Sequence, residues 1–280
     1  MTSDKFIVNV CLTGIVASKT QNPYLPVTPE EIAKDVGSCL DLGASMFHLH
    51  ARDHGENADW RKESYERIIR SVREVSQEAV VCFSASGRKV AGLEKRMECL
   101  RTDPPPDMAS VTLGSLNFLA DAVTNAPSDI LTVIHEMNDR GIAPEVEVFD
   151  VGMARTVARL ITSGVLKTPC YVNVLLGNVA SSDASLLDLA AVTHHLPAGT
   201  IWCAGGVGKS QLIANVLGIM FGSGVRVGLE DNLYFNGLKA PASNAALVER
   251  VVSMGRHLGK SPCSARETRE FLGLPPAKGR

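Results

Sequence analysis

Residues 28–50 read TPEEIAKDVGSCLDLGASMFHLH and contain one complete helix-to-strand unit. Thr28 is suited to cap a helix, Pro29 falls at the first helical position, and Glu31 completes a capping box. Apolar residues follow at helical spacing until Gly43, a residue typical of a helix end. The run SMFHLH after this glycine is short, and its apolar residues do not recur at helical spacing, so it predicts a β-strand.

Two histidines, His48 and His50, lie at the end of this strand with one leucine between them. In a strand, side chains at i and i+2 point to the same face, about 6.6 Å apart along the chain. On a helix the same pair would lie about 200° apart. Two imidazoles on one face can bind one metal ion, although a lone H-x-H pattern also arises by chance.

The alternation of apolar runs and amphipathic helical segments continues along the whole chain. Eight runs have the length and composition of strands: FIVNVCL from Phe6, SMFHLH from Ser45, AVVCFS from Ala79, MASVTL from Met108, EVEVF from Glu145, CYVNVLL from Cys170, TIWCAG from Thr200 and VRVGLE from Val225. Eight strand-helix units in about 250 residues predict an α/β fold, a (β/α)8 TIM barrel, with residues 1–280 as a single domain. The alternative is an open doubly wound sheet, but TGIVASK after the first run lacks a Gly-rich phosphate turn.

Composition excludes several classes of function. The 280 residues are 45% hydrophobic and carry a net charge of −2, with no basic face for nucleic acid and no apolar run of membrane-spanning length. The start of the chain does not resemble a secretory signal. The seven cysteines form no C-x-x-C pair, which favours a reduced, cytoplasmic protein without disulfides.

The last predicted strand, VRVGLE, carries candidates for the rest of a metal site. A catalytic zinc needs a third protein ligand and an open position, and Glu230 at the end of this strand is the best candidate. Asp231 follows it, and Arg226 lies four residues earlier on the same face. A buried arginine needs an anionic partner, which Asp231 can supply. A helix-capping acidic pair and a barrel-filling ion pair are the structural alternatives.

Two further strand ends carry polar residues. EVEVF places Glu145 and Glu147 on one face, where one could act as a general base or bind Arg226; alternatively, both face the surrounding helices as ion pairs. After the third strand, the hydroxyl of Ser84 and the backbone near Gly87 could bind a carboxylate or carbonyl, or form a plain turn.

On these residues the chain resembles the β-keto acid cleavage enzymes, and the match runs nearly end to end. It rests on TG at 13–14, LPVTPEEIA at 25–33, GASMFHLHARD at 43–53, PEVEVFDVGM at 144–153 and GLEDN at 228–232. The resemblance implies a zinc-dependent barrel, commonly a homotetramer. It also implies an acyltransferase reaction in which a β-keto acid and acetyl-CoA give acetoacetate and a new acyl-CoA.

The resemblance further implies a role for each matching residue. The implied zinc ligands are His48, His50 and Glu230. The implied catalytic residues are the pair Arg226 and Asp231, which deprotonates the substrate, together with Glu147. The implied substrate-contact positions are Ser84, Gly87 and Ser110.

Two of the departures from the characterised member of this family bear on the charge of the substrate. Val16 stands where that enzyme has a glutamate that pairs with the amino group of its substrate, so this chain is not expected to prefer an amino-bearing acid. Arg88 stands where that enzyme has a glycine, and this arginine would either suit an acidic substrate or simply face solvent.

Other functions remain open on the sequence. A lyase or aldolase would use the same zinc and enolate chemistry without acetyl-CoA, and a metabolite-binding barrel would bind metal without turnover. A metal-dependent hydrolase with H-x-H normally carries the pair on its first strand and needs further histidines on later strands. The identity of the acid and the residues that contact CoA cannot be read from the sequence.

Overall fold

The computed structural model describes residues 4–236 and 240–277. Eight parallel strands of its main sheet form a barrel, and we number them along the chain: β1 (Lys5–Cys11), β2 (Met46–Leu49), β3 (Val80–Ser84), β4 (Met108–Thr112), β5 (Ala143–Val148), β6 (Tyr171–Leu176), β7 (Ile201–Gly206) and β8 (Gly224–Val227). A two-residue strand, Ser261–Pro262, also pairs with β1. Each of these strands overlaps one of the eight predicted runs.

The sheet closes on itself. Every strand pairs with the next along the chain, and β8 also pairs with β1, so that Asn9 lies opposite Met46 on one side and Arg226 on the other. Closure of eight parallel strands confirms the predicted (β/α)8 barrel and excludes the open doubly wound sheet.

Helices in the described ranges cover the outside of the barrel. They are α1 (Pro29–Asp41), α2 (Lys62–Val75), α3 (Leu93–Met97), α4 (Pro127–Arg140), α5 (Val151–Thr162), α6 (Leu186–His194), α7 (Gln211–Phe221), α8 (Asn244–His257) and α9 (Ala265–Leu272). The capping box predicted for α1 is present: the Thr28 hydroxyl accepts from the Glu31 N–H, and the Glu31 carboxylate accepts from the Thr28 N–H.

The lower part of the barrel interior is apolar. Its buried side chains form one cluster with the C-terminal segment: Ile7, Met46, Val80, Cys82, Met108, Tyr171, Cys203, Cys263 and Leu272. Leu272 belongs to α9, so this last helix closes the end of the barrel at which the strands begin. This layer supports the polar residues above it.

Two positions further along the strands, the interior becomes polar. Because inward-facing side chains recur at every second residue, Asn9 follows Ile7, His48 follows Met46, and Asn173 follows Tyr171. These three polar side chains are at most 1% exposed. The fold therefore places a polar layer in the barrel, directly below the carboxyl ends of the strands.

The last strand is shorter than predicted. β8 ends at Val227, so Glu230 lies in a turn and not at the end of the strand. The turn forms because the Leu229 N–H donates to the Asn244 side chain, and the Glu230 N–H donates to the Cys11 carbonyl oxygen. Glu230 is thereby bound to the end of β1.

The cysteines and the apolar character of the helices are two further features of the structure. All seven cysteines are buried free thiols. Among the described residues, none of the helices combines the length and the apolar character that crossing a bilayer would require.

Removing Arg269 should destabilise the closed end of the barrel. This buried side chain on α9 donates to both Asp107 carboxylate oxygens, at 2.9 and 2.8 Å, and to the Glu78 and Ala79 carbonyls. We expect Arg269→Ala to lower the free energy of unfolding by about 3 kcal/mol in a urea titration. Arg266→Ala, on an 80% exposed side chain of the same helix, should change it by less than about 0.5 kcal/mol. Equal effects of the two variants would contradict this role for Arg269.

Candidate metal and catalytic site

His48, His50 and Glu230 converge at the carboxyl ends of the strands. The two Nε2 atoms are 3.3 Å apart. Glu230 Oε1 lies 3.2 Å from His50 Nε2 and 3.7 Å from His48 Nε2. Both histidines are buried, and burial lowers the pKa of His50, which favours its neutral, metal-binding form. The structure thus brings the three predicted ligands together.

The spacing of these three atoms fits a tetrahedral metal. Bonds of about 2.0–2.2 Å in tetrahedral geometry require neighbouring donor atoms about 3.3–3.6 Å apart. The second carboxylate oxygen of Glu230, Oε2, is buried and has no hydrogen-bond partner among the described residues. A buried carboxylate oxygen without a donor is costly, and a cation in the site would remove that cost. The donor set therefore fits a divalent metal with an open coordination position.

Glu145 orients the first of these histidines from below. Its Oε2 lies 2.5 Å from His48 Nδ1, and its Oε1 accepts from the side-chain amides of Asn9 and Asn173, each at 2.7 Å. Burial opposes ionisation of Glu145, but the His48 ring and Arg226 outweigh it and lower the pKa of the carboxyl to about 2. In the protein alone, burial and Arg226 would lower the pKa of His48, but Glu145 and Glu230 raise it. A metal bound at Nε2 would leave the ring neutral, with Nδ1 donating to the Glu145 carboxylate.

A second group of potential ligands consists of His48, Cys82 and Glu145. Here Cys82 Sγ donates to Glu145 Oε2 at 3.1 Å. Burial and the Glu145 carboxylate raise the pKa of the Cys82 thiol well above its usual value, so the thiol keeps its proton. A protonated thiol is a poor metal ligand, and these three residues instead form a hydrogen-bonded support.

Arg226 is the cation at the centre of the site and is 2% exposed. It donates from Nε to Asp231 at 3.0 Å, from Nη1 to Glu147 at 3.1 Å and from Nη2 to Glu230 at 3.0 Å. Burial alone would lower its pKa, but Asp231 and Glu230 raise it well above the usual value, so Arg226 stays protonated. A Cβ on Gly205 would lie 3.1 Å from Arg226 Cβ, and the glycine leaves room for this side chain.

Both glutamates of the fifth strand face the interior, so the alternative of ion pairs with the helices is wrong. Glu147 binds Arg226 and also accepts from the Thr112 hydroxyl at 2.7 Å. Glu145 binds His48 instead. The two carboxylates therefore have different partners, which the sequence pattern could not distinguish.

Asp231 has one carboxylate oxygen engaged and one available. Its Oδ2 accepts from Arg226 Nε and from the Cys11 thiol at 3.1 Å. Its Oδ1 accepts no hydrogen bond within the described part of the chain. Cys11 was not expected at the site, although its position two residues after Asn9 on β1 marks it as inward-facing.

A cavity with a volume of about 110 Å³, open to solvent, lies above these residues. Its lining combines charged and polar groups near the candidate metal ligands with apolar side chains further out. The lining residues from the site are His50, Ser84, Thr112, Asn125, Glu147, Arg226, Glu230 and Asp231, and those from the mouth are Ile15, Val16, Ser86, Arg88, Leu116, Phe118, Val123, Phe149, Leu175 and Val207.

The three predicted substrate-contact residues lie at different depths. Ser84 lines the cavity, whereas Ser110 lies beneath it, with its hydroxyl 3.3 Å from the Ser84 hydroxyl. Gly87 packs beside Arg96 and Val123, each 3.2 Å from where its Cβ would be. Their contact with a substrate stays a prediction. Thr112 also lines the cavity; it is not among the residues that the sequence predicts for the site, although it follows Ser110 by two residues on the same strand. Asn125 and Phe118, on the loop after β4, line the cavity too, and no pattern in the sequence marks them.

Arg52 fixes the mouth loop of residues 13–17 to the strand that carries the histidines. This buried side chain donates to the carbonyl oxygens of Thr13 and Gly14, at 2.9 and 2.8 Å, and also to that of Ala17. Ile15 and Val16 are thereby held at the edge of the cavity.

Comparisons with known proteins find relatives over nearly the whole chain. A family model described as beta-keto acid cleavage enzyme matches residues 5–274. The 3-keto-5-aminohexanoate cleavage enzyme of Fusobacterium nucleatum is 33% identical over 272 residues, which cover 97% of this chain and 98% of the relative. The 3-oxoadipate:acetyl-CoA acetyltransferase of Cupriavidus necator is 29% identical over 273 residues, covering 96% and 95%.

A solved structure shows the same fold. The ternary complex of ObcA with C4-CoA adduct and oxalate matches with a TM-score of 0.79 and 21% identity, over 90% of this chain and 68% of that chain.

Gly14 should be required where it approaches Glu230. It has φ +55°, and a Cβ there would lie 2.7 Å from Glu230 Cγ. Gly141, at φ +69°, has no atom within 4 Å of the same position. We expect Gly141→Ala to cost about 1 kcal/mol of unfolding free energy from backbone strain alone, and Gly14→Ala to cost at least about 1 kcal/mol more because Glu230 must move. Chemical denaturation of both variants tests this, and equal losses would contradict the contact.

Proposed function

The chain belongs to the β-keto acid cleavage enzyme family, and we propose that it condenses a β-keto acid with acetyl-CoA to give acetoacetate and a new acyl-CoA. In the net reaction, a bond forms between C2 of the keto acid and the carbonyl carbon of the acetyl group, and the thioester C–S bond of acetyl-CoA breaks. The C2–C3 bond then breaks, C3 forms the new thioester bond with the CoA sulfur, and C2 regains a proton. The observation that carries the proposal is that Asp231, with a free oxygen, lines the same cavity as His50 and Glu230.

We propose zinc as the resident metal, held by His48, His50 and Glu230. Two imidazoles and one carboxylate with an open position are the ligand set of a catalytic zinc, although iron and manganese also accept such ligands. A bound metal would supply a Lewis acid for the β-keto carbonyl.

The residues of the chain divide the remaining tasks. Asp231 Oδ1 accepts the proton from C2 of the keto acid, while Arg226 holds the other oxygen of that carboxylate. Arg226 does not act as the base itself, because its three carboxylate contacts keep it protonated. Glu147 fixes Arg226 through Nη1, while Asp231 is bound through Nε. The proposed contact region for the substrate consists of Ser84, Gly87 and Ser110.

An assay with acetyl-CoA tests the reaction. Metal-loaded protein should form acetoacetate from members of a β-keto acid panel only when acetyl-CoA is present. Asp231→Asn should lower kcat by at least about a hundredfold, because the proton acceptor is lost, while metal content measured by mass spectrometry stays unchanged. Asp139→Asn, at an exposed site on α4, is the matched control and should retain activity.

Two outcomes would contradict the proposal. Cleavage of the acid without acetyl-CoA would identify a lyase or aldolase. Metal and acid binding without turnover across the panel would identify a metabolite-binding barrel. The inward-facing set of Glu147, Arg226 and Asp231 favours the enzyme, since a sensor has no need for a proton acceptor paired with a buried arginine.

Substrates with an amino group should be disfavoured. Val16 lines the cavity, and the acids of its lining, Glu147, Glu230 and Asp231, all bind Arg226. An ammonium group near Val16 therefore finds no carboxylate that is not already paired with Arg226. We expect kcat/KM for an amino-bearing β-keto acid to be about tenfold or more below that of its uncharged analogue, and Val16→Glu to narrow this gap.

The control for this prediction is Val75→Glu, the same substitution at a similarly exposed valine at the C-terminal end of α2. Comparable turnover of the two acids by the unaltered protein would refute the preference.

We also propose a cytoplasmic homo-oligomer, a tetramer by family resemblance, in which residues 1–280 form one catalytic domain. Seven buried free thiols suit a reducing compartment. Exposed apolar side chains on α6 and α7, namely Leu186, Leu187, Ile213 and Phe221, support contact between subunits.

A further inference from the structure

Arg88 lies at the mouth of the cavity and is held in place by two neighbours from the next loop. Its guanidinium carbon lies 3.9 Å from the centre of the Phe118 ring, and its Nε donates to Asp121 Oδ1 at 3.2 Å. Phe118 and Asp121 both belong to the tip of the hairpin formed by Leu116–Asn117 and Ala122–Val123. An arginine stacked on an aromatic ring and bonded through Nε has a fixed orientation.

Part of this guanidinium has no partner in the protein. Within residues 4–236 and 240–277, neither Nη1 nor Nη2 of Arg88 donates to another group, and the side chain lines the cavity. An arginine whose Nε is engaged can still present its two Nη groups to a carboxylate as a fork.

The charge around Arg88 is not balanced. Lys89 Nζ lies 3.2 Å from Asp121 Oδ2, so Asp121 faces two cations. The three residues together carry one net positive charge. Because the Arg88 side chain is only 23% exposed, solvent does not fully screen this charge.

The cavity between Arg88 and the metal ligands has apolar walls. Ile15 and Val16 contribute from the loop after β1, and Leu116 and Phe149 contribute from the loops after β4 and β5. Methylene groups suit such walls better than a polar chain does. A ligand that fits has a β-keto acid at its inner end, an apolar middle and a negative charge at its outer end.

We propose that Arg88 binds a second carboxylate of the substrate, remote from the keto acid, so that the enzyme acts on β-keto dicarboxylates. This assignment rests on the proposed function of the same cavity. A phosphate group of acetyl-CoA would offer similar chemistry to Arg88, and the experiment below separates the two anions.

The test compares a six-carbon β-keto dicarboxylate with the analogue in which the outer carboxylate is a carboxamide. The unaltered enzyme should prefer the dicarboxylate by roughly tenfold to a hundredfold in kcat/KM, the range expected for one charged hydrogen-bonded pair. Arg88→Met should reduce this ratio to about 1, with the KM for acetyl-CoA unchanged. Lys89→Met removes the same charge beside the same aspartate but outside the cavity lining, and it should keep the ratio.

Isothermal titration with the dicarboxylate alone gives a second readout that does not require turnover. Binding should weaken about tenfold or more in Arg88→Met and not in Lys89→Met. The assignment would be overturned if Arg88→Met weakened binding of the dicarboxylate less than Lys89→Met does. It would also be overturned if Arg88→Met lowered kcat/KM equally for the dicarboxylate and the carboxamide, or raised only the KM for acetyl-CoA. If neither acid is turned over with acetyl-CoA, the proposed function fails, and the titration still decides whether Arg88 recognises the outer carboxylate.

Discussion

The burial of charge inside the barrel is the constraint on which the rest of the structure depends. Glu145 is fully buried and Arg226 almost so, and each such ion costs several kcal/mol to remove from water unless it is paired. Glu145 is paired with Asn9, Asn173, Cys82 and His48, and Arg226 is paired with three carboxylates. These partners come from six different strands or strand ends, so the charges fix the upper barrel.

This network also explains the division between the lower and upper parts of the molecule. The apolar layer that contains Met46 and Met108 fills the bottom of the barrel, and α9 closes it from below. The polar layer above instead fixes the orientation of the side chains in the site, because each side chain in this layer has a specific partner. The mouth loops carry Val16 and Arg88, and Arg88 is held by Phe118 and Asp121 of the next loop. Substrate preference can therefore change there without disturbing the site beneath.

Most of the fold could be predicted from the sequence, because strand and helix periods alternate strongly and Thr28 and Glu31 mark a helix start. The spacing of His48 and His50 likewise indicated one face of a strand. The turn at Glu230 was not predictable, since it depends on Asn244, distant in sequence, and on the carbonyl of Cys11. Nor could periodicity assign separate partners to Glu145 and Glu147 or place Phe118 against Arg88, because those contacts form only when the loops and strands meet.

We propose that the buried Glu145–His48 pair presents Nε2, together with His50 and Glu230, to one metal ion. Anomalous diffraction at the zinc edge from crystals of the zinc-loaded protein tests this arrangement. We expect a single peak about 2.0–2.2 Å from His48 Nε2, His50 Nε2 and a Glu230 carboxylate oxygen. A peak between His48 Nδ1, Cys82 and Glu145, or no peak in the barrel, would contradict it.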